Sequence, residues 1–178
     1  SAFSTEALRG HLTDEERGKG IPFKSLHFRH NLGEGRFARV LAATHGNEPV
    51  AVKQLLPGYG SVEACRFVRE VRLLRLLHHP HVVRFVGAVW DHSAMLVTEM
   101  CDGSVHDALR DGTAGTLDAP LIAAQIARAL RFLHALRLSH RDVKGANVLL
   151  TDGGAKLADF GVARSVTDGA MTTVVGSG

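Results

Sequence analysis

The stretch Ser139–Gly161 carries acidic, basic and amide side chains at close spacing, in the order SHRDVKGANVLLTDGGAKLADFG. It contains Asp142, Lys144, Asn147 and, just before a Phe-Gly pair, Asp159. Transfer of a phosphoryl group from a nucleotide needs a carboxylate to take up the proton of the attacking hydroxyl and a cation facing the moving phosphate. It also needs oxygen ligands for Mg²⁺, which prefers carboxylate and amide oxygens. The stretch therefore predicts a site for nucleotide-dependent phosphoryl transfer.

Length and composition set the class of protein. The 178 residues suffice for one domain or slightly more, and 45% hydrophobic with 22% charged residues is normal for a globular chain. The longest apolar run is far shorter than the ~20 residues of a membrane-spanning helix, and no charged-then-apolar signal segment opens the chain. Cys65 and Cys101 form neither a disulfide framework nor a metal-ligand cluster. These features predict a cytoplasmic protein without a membrane span.

The net charge of +3 raises the question of a nucleic-acid partner, since positive residues cluster in Arg66–Arg75. No stacking aromatics or nucleic-acid motif accompany them. A solvated helix face and a basic phosphate-binding cleft explain the charge better, so we expect no nucleic-acid partner.

A glycine-rich turn lies near the start of the chain. His27–Leu32 and the residues around Val40 have strand character, with Gly33 and Gly35 between them. Alone, this pattern predicts only a hairpin, because Ala38 replaces a third glycine. A dinucleotide-binding turn is excluded because the glycines do not open a helix.

Further elements follow from periodicity. A strand over Val50–Lys53 precedes a helix from Ser61, as its N-cap, to about His78. The buried stripe of that helix is predicted to be Cys65, Val68, Val71, Leu74 and Leu77.

Two more strands are predicted over His81–Ala88 and Ala94–Glu99, and residues 1–20 are predicted to be polar and irregular. Ser104 and Asp107 form a capping-box-like pair at the start of a short helix. A longer helix runs from Asp118, with Pro120 in its first turn, to about Arg137. Its apolar face is expected to comprise Leu121, Ile122, Gln125, Ile126, Ala129, Leu130 and Leu133.

The chain resembles the eukaryotic protein kinases over about Leu26–Gly178. The central stretch is similar to their H-R-D-L-x-x-x-N and D-F-G motifs, with Val143 in place of Leu. Val50–Lys53 resembles the V-A-I-K strand, and the glycine turn resembles the phosphate-covering loop. The resemblance implies an α+β, two-lobe fold: residues 1–25 as a lead-in, 26–99 as an antiparallel-sheet lobe with one helix, and 100–178 as the hinge and first part of a mostly helical lobe.

The resemblance also implies the roles of the site residues. Asp142 would be the base that positions the substrate hydroxyl, Lys144 would hold the γ-phosphate, and Asn147 and Asp159 would ligate Mg²⁺. Lys53 would bind the α- and β-phosphates of ATP. His140 and Phe160 would pack and hold this geometry. The alternative for the whole set is a surface cluster of charges.

Glu70, on the predicted helix, would pair with Lys53 seventeen residues before it. The alternative is a solvated acid among Arg69, Arg72 and Arg75. The backbone at Glu99 and Cys101 would bind adenine, and Thr98 would guard the back of the pocket; whether Cys101 is a reactive thiol or a small buried side chain stays open. The full predicted nucleotide-binding set is Leu32, Gly33, Gly35, Val40, Ala51, Lys53, Thr98, Glu99, Cys101 and Leu149.

Lys144 indicates the serine/threonine type. The H-R-D-V-K-G-A-N loop and the lead-in Ile21–Leu26 favour either the tyrosine-kinase-like branch or the kinases that head cascades. Arg141 before the catalytic Asp is typical of kinases that answer to a phosphate supplied by an upstream kinase. The candidate regulatory hydroxyls are Thr172, Thr173 and Ser177.

The family pattern continues into A-P-E and further helices, which do not occur in these residues. Two expectations fit: a fragment of a longer kinase that phosphorylates protein Ser and Thr with Mg·ATP, or a non-catalytic nucleotide-binding or regulatory fragment that acts by docking. The apolar face of the helix from Asp118 would then lack part of its partner.

Overall fold

A computed structural model of the chain describes residues 8, 10–18, 20–91 and 93–166. These residues form two compact units. The first contains the described residues up to His78 together with Arg84–Cys101. The second contains His79–Val83 together with the described residues from Asp102 onward.

The first unit is built on a five-stranded antiparallel sheet with the spatial order β1-β2-β3-β5-β4. Its strands are β1 (Leu26–Glu34), β2 (Ala38–His45), β3 (Glu48–Leu55), β4 (Phe85–Val89) and β5 (Met95–Glu99). The predicted antiparallel sheet is therefore confirmed, and the chain has the predicted α+β class.

Alternation along the strands divides the sheet into two faces. Val50 and Val52 of β3 and Val97 of β5 lie on one face and are fully buried. They form a core with residues of the other strands: Leu26, Ala43, Val89 and Met95. Residues that alternate with these valines along β3, such as Ala51 and Lys53, lie on the opposite face.

Helix α2 (Ser61–Leu76) follows β3. Its predicted N-cap at Ser61 is wrong: Gly60 occupies that position, and its N–H donates to the Glu63 carboxylate at 3.0 Å. The predicted buried stripe is right at Val68, Val71, Leu74 and Leu77, but Cys65 is only half-buried. The buried face of the helix also includes Ala64, Phe67 and Glu70.

The lead-in contains order that the sequence did not predict. Helix α1 (Asp14–Gly18) begins after Thr13 and has three acidic residues in its first turn, a favourable position near the positive end of the helix dipole. Leu8 and Leu12 are buried. The expectation of an irregular segment is therefore wrong for these residues, because a capped turn, two buried leucines and an ion pair between Glu16 and Arg72 hold them in place. A short 3₁₀ turn, Phe23–Ser25, leads into β1.

The second unit contains two helices and five short strands among its described residues. They are β6 (Gly103–Ser104), α3 (Val105–Arg110), α4 (Ala119–Ala135), β7 (Leu138–Ser139), β8 (Val148–Thr151), β9 (Gly154–Leu157) and β10 (Arg164–Ser165). Strands β6, β8 and β9 form one antiparallel sheet and β10 pairs with β7. Short 3₁₀ turns span Ala114–Thr116 and Gly145–Asn147.

Both helices begin where the sequence predicts. The Ser104 hydroxyl accepts from the Asp107 N–H at 3.1 Å, and the Asp107 carboxylate accepts from the Ser104 N–H at 3.0 Å. Asp118 caps α4 by accepting from the Leu121 N–H at 2.9 Å. On α4, burial is limited to Gln125, Ile126, Ala129 and Leu133. Ile122 and Leu130 are half-buried, and Leu121 is 45% exposed, because it lies at the edge of the apolar face.

The predicted strand over His81–Ala88 is wrong in its first half. His81–Val83 belongs to the second unit, where the N–H groups of Leu157 and Val83 donate to the carbonyls of His81 and Leu157 at 2.9 and 3.0 Å. Pro80 precedes this segment. The backbone hydrogen bonds of the segment are therefore satisfied by β9, and the strand of the first sheet begins only at Phe85.

Gln125 fixes the hairpin formed by β8 and β9. Its Oε1 accepts from the Ala155 N–H at 2.8 Å, and its Nε2 donates to the Gly153 carbonyl at 3.2 Å. Gly154 between them has a φ of +117°, and a Cβ there would lie 2.2 Å from the Gln125 amide. Only glycine therefore fits this turn.

No helix among the described residues is long and apolar enough to cross a membrane.

Leu74→Ala should lower the free energy of unfolding by about 2–5 kcal/mol, because its side chain is 1% exposed and its removal leaves a cavity against the sheet. Leu76→Ala is the matched control on the same helix, since Leu76 is 74% exposed. Its change should stay within about 0.5 kcal/mol. Denaturant unfolding measures both, and equal losses would contradict the packing of α2 described above.

Candidate active site

Lys53 and Glu70 form an ion pair inside the first unit. Lys53 Nζ on β3 donates to Glu70 Oε2 on α2 at 2.7 Å, and the two side chains are 27% and 4% exposed. The predicted pair is present, and the alternative of a solvated Glu70 is wrong. A carboxylate this deeply buried is costly unless it is paired. Glu70 thus holds the ammonium group of Lys53 at a fixed place on the sheet.

The strand register gathers other predicted nucleotide-binding residues around Lys53. Val40 on β2 is the direct partner of Lys53, and Ala51 is the direct partner of Thr98 on β5. Residues two apart share a face, so all four side chains lie on the face opposite the valine core. This face therefore offers small and apolar side chains beside one cation.

The glycine turn borders this patch. Gly33, at the end of β1, pairs with Val40, and the Gly35 N–H donates to the Ala38 carbonyl at 2.8 Å. Leu32 beside it is 47% exposed. At Gly33 and Gly35 the turn presents backbone without a Cβ near the end of the sheet that carries Val40.

The predicted adenine-binding residues lie at the end of β5. The Glu99 N–H donates to the Arg84 carbonyl at 3.0 Å, and the Glu99 carboxylate accepts from the Arg84 N–H at 2.7 Å. Cys101 follows; it is half-buried and does not form a disulfide. Leu149 lies on β8 of the second unit and is half-buried.

The second unit brings Asp142, Lys144 and Asn147 together. Asp142 Oδ2 accepts from Lys144 Nζ at 2.7 Å and from Asn147 Nδ2 at 3.0 Å. Asn147 Nδ2 also donates to the Asp142 carbonyl at 2.8 Å. The hydrogen bond from Lys144, chiefly, lowers the pKa of Asp142 below its usual range, and the same bond raises the pKa of Lys144. At neutral pH the Asp142 carboxylate is therefore ionised, and its hydrogen bonds with Lys144 and Asn147 fix its orientation.

Two residues of the segments that carry Asp142 and Asp159 have an unusual backbone conformation. Arg141, just before Asp142, has a φ of +69°, and Asp159 has a φ of +61°. Residues other than glycine rarely adopt this left-handed backbone conformation. It costs on the order of 1 kcal/mol or more and persists only where surrounding contacts impose it. Gly145 lies so close to α3 that a Cβ on it would be 3.3 Å from the backbone nitrogen of His106.

His140 joins the two loops that carry the acidic residues. Its Nε2–H donates to the Ala158 carbonyl at 2.9 Å, and its Nδ1 accepts from the Asp142 N–H at 3.3 Å. The ring packs edge-on against Phe160, with centroids 4.8 Å apart, and both side chains are buried. Burial is the main reason that the pKa of His140 is lowered. The neutral ring therefore fixes the backbone next to Asp142 and next to Asp159.

The donor set suits a hard divalent cation. Both side-chain hydrogen bonds of Asn147 use Nδ2, which leaves the amide oxygen Oδ1 as a ligand, and Asp159 adds a carboxylate whose Oδ1 accepts from the Gly161 N–H at 3.4 Å. Within the described residues, no three His, Cys, Asp or Glu side chains cluster tightly enough to hold a metal. Mg²⁺ needs only one or two protein ligands when phosphates and water supply the others.

Sequence reasoning missed the role of Gln125. It had been assigned to an apolar face, yet its buried amide holds the hairpin that connects Asn147 to Asp159. A lone amide inside an apolar stripe is the signal, because a buried polar side chain must have a partner. Thr172, Thr173 and Ser177 lie outside the described residues.

The family comparison agrees with this geometry. A family model described as Protein kinase domain matches residues 26–178, and the chain belongs to this family. Kinases of this family generally use ATP and Mg²⁺ and act on proteins.

His140 should titrate with a pKa below the ~6.5 of a free histidine, because burial disfavours the imidazolium and Nδ1 is needed as an acceptor. Nitrogen-15 NMR of the imidazole should show an Nε2–H tautomer at pH 7. Since the unfolded chain then binds more protons below pH ~6.5, His140 makes stability fall as the pH drops from that value toward its folded pKa. A pKa at or above that of free histidine would contradict this arrangement.

Proposed function

We propose that the chain is the catalytic part of a protein serine/threonine kinase that transfers the γ-phosphoryl group of Mg·ATP to hydroxyl groups of proteins. The observation that carries this proposal is the Asp142 carboxylate, held by Lys144 at 2.7 Å and by Asn147 at 3.0 Å. Family membership supports the reaction class.

Asp142 orients the substrate hydroxyl and accepts its proton. Its lowered pKa makes it a weak base, which suits a reaction in which the proton leaves late, after most of the bond to the old phosphate oxygen has broken. Lys144 donates to the γ-phosphate and offsets the charge of the carboxylate. The two groups thus place the nucleophile and the phosphoryl group at bonding distance.

Asn147 Oδ1 and the Asp159 carboxylate are the proposed protein ligands of Mg²⁺. The ion, when bound, offsets the negative charge of the phosphate oxygens. His140 holds the backbone next to Asp159 and the backbone of Asp142, whose carbonyl accepts from Asn147 Nδ2.

Lys53 is the proposed ligand of the α- and β-phosphates, and Glu70 keeps it extended and charged. Ala51, Val40 and Thr98 form the surface on which the adenine lies. The remaining proposed nucleotide contacts are Leu32, Gly33, Gly35, Glu99, Cys101 and Leu149.

The preference for Ser and Thr rests on Lys144, two residues after the base. The chain shares this Lys with serine/threonine kinases, whereas tyrosine kinases usually carry other residues there. Control by an upstream kinase rests on Arg141, which is exposed and precedes Asp142. A phosphate on Thr172 or Thr173 would supply its counter-ion. Cysteines that form no disulfide, Cys65 and Cys101, and the proposed dependence on ATP favour a cytoplasmic location.

Asp142→Asn should reduce phosphate transfer from γ-labelled ATP to a generic protein acceptor by about 10²–10⁴-fold, because the hydroxyl loses its proton acceptor. Asp152→Asn is the matched control, since Asp152 is an exposed carboxylate in the nearby β8–β9 turn. It should retain wild-type activity. Label should appear on Ser and Thr.

Two results would contradict the proposal. Label on Tyr alone would overturn the Ser/Thr assignment. Binding of ATP by the wild type without any transfer would favour the non-catalytic docking fragment.

A further inference from the structure

The described residues from Leu8 to Ser25, here called the latch segment, precede the part of the chain that the kinase family model matches. The segment orders its own acidic side chain. Thr13 N–H donates to Glu16 Oε2 at 2.9 Å, and the Thr13 hydroxyl accepts from the Glu16 N–H at 3.2 Å. The Glu16 carboxylate is therefore fixed by the first turn of α1.

Glu16 forms a bidentate ion pair with Arg72 of α2. Arg72 Nη2 donates to Glu16 Oε2 and to the His11 carbonyl, both at 2.8 Å, while Arg72 Nε donates to Glu16 Oε1. These bonds chiefly lower the pKa of Glu16 to about 2. Bidentate guanidinium–carboxylate pairs fix orientation as well as distance.

Arg72 lies two residues after Glu70 on the same helix. At ~100° per residue the two side chains leave α2 in nearly opposite directions. Glu70 points to Lys53, and Arg72 points to the latch segment. Helix α2 is thus held from both sides by ion pairs.

Apolar and backbone contacts extend this attachment to the sheet. Leu8 and Leu12 are 3% and 9% exposed. Leu12 lines a cavity of about 260 Å³ together with side chains of α2 and β4, including Val68 and Val71 of α2, and with Trp90, which follows β4.

At the other end of the segment, the Ile21 N–H donates to the Ala88 carbonyl at 2.8 Å. The Ile21 side chain packs where Gly87 has no Cβ, since a Cβ there would lie 2.9 Å from it. The latch segment therefore bridges α2 and the edge strand β4.

We propose that the latch segment is a positioning element for Glu70: the Glu16–Arg72 pair holds α2 at the distance from β3 at which Glu70 engages Lys53. This inference rests on the proposed function, because Lys53 matters as a ligand of ATP. Glu16 and Arg72 touch no reacting group and act through α2.

Glu16→Gln and Arg72→Gln should each raise the KM for ATP about three- to tenfold while kcat falls less. Loss of folded protein would instead lower the apparent kcat and leave KM unchanged. The double variant should be no worse than the worse single variant, because both break the same pair. The exchanged pair, Glu16→Arg with Arg72→Glu, should recover only part of the loss, because it restores the ion pair but not the bonds to the Thr13 N–H and the His11 carbonyl.

Arg75→Gln is the matched control. Arg75 is an exposed arginine one turn further along α2, and no described residue forms an ion pair with it. It should leave the KM for ATP unchanged.

Hydrogen exchange gives a second readout that does not need activity. Amides of α2 around Glu70 should exchange faster in Glu16→Gln and Arg72→Gln than in the wild type and in Arg75→Gln. If the wild type transfers no phosphate, the proposed function fails, and hydrogen exchange alone then tests the role of the latch segment. Faster exchange of the α2 amides in Glu16→Gln and Arg72→Gln would support that role. Unchanged exchange, or an active wild type whose KM for ATP is unaffected by either substitution, would overturn it.

Discussion

The buried ion pair between Lys53 and Glu70 is the constraint on which the first unit depends. A carboxylate that is 4% exposed loses its hydration, and the ammonium group 2.7 Å away compensates for that loss. The pair therefore fixes α2 against β3. Apolar burial of Val71 and Leu74 also stabilises the helix within the first unit. The ion pair adds a contact between two specific residues of these elements, and the same cation is the proposed ligand of the nucleotide.

In the second unit, a neutral buried side chain, His140, fixes the positions of the backbone segments around it. His140 has no charge to neutralise in its buried position, so its two ring nitrogens serve as one donor and one acceptor. They fix the backbone beside Asp142 and beside Asp159, two residues whose neighbourhood includes left-handed backbone conformations. Gln125 holds the hairpin between these loops. The geometry of the proposed catalytic groups in this unit thus depends on buried polar side chains, and every such group among the described residues has a hydrogen-bond partner.

Local signals in the sequence predicted much of the fold. Ser104 with Asp107, and Asp118, are caps that depend on neighbours three residues away. Features that depend on distant contacts were not predictable. The order of the lead-in depends on Arg72, 56 residues after Glu16. Likewise His81–Val83 has strand composition, but its partner lies in β9, more than 70 residues later along the chain. The Lys53–Glu70 pair was predictable only because a family pattern supplied the spacing.

Affinity for Mg·ATP in a double-mutant cycle tests the central claim, which is that Glu70 acts on the nucleotide only through Lys53. Calorimetry would compare the wild type, Glu70→Gln, Lys53→Met and the variant with both changes. With Lys53 present, Glu70→Gln should weaken ATP binding about tenfold, because the ammonium group is no longer held in place. In the Lys53→Met background the same substitution should leave the affinity unchanged. An equal loss in both backgrounds would show that Glu70 acts independently of Lys53, and would contradict this account.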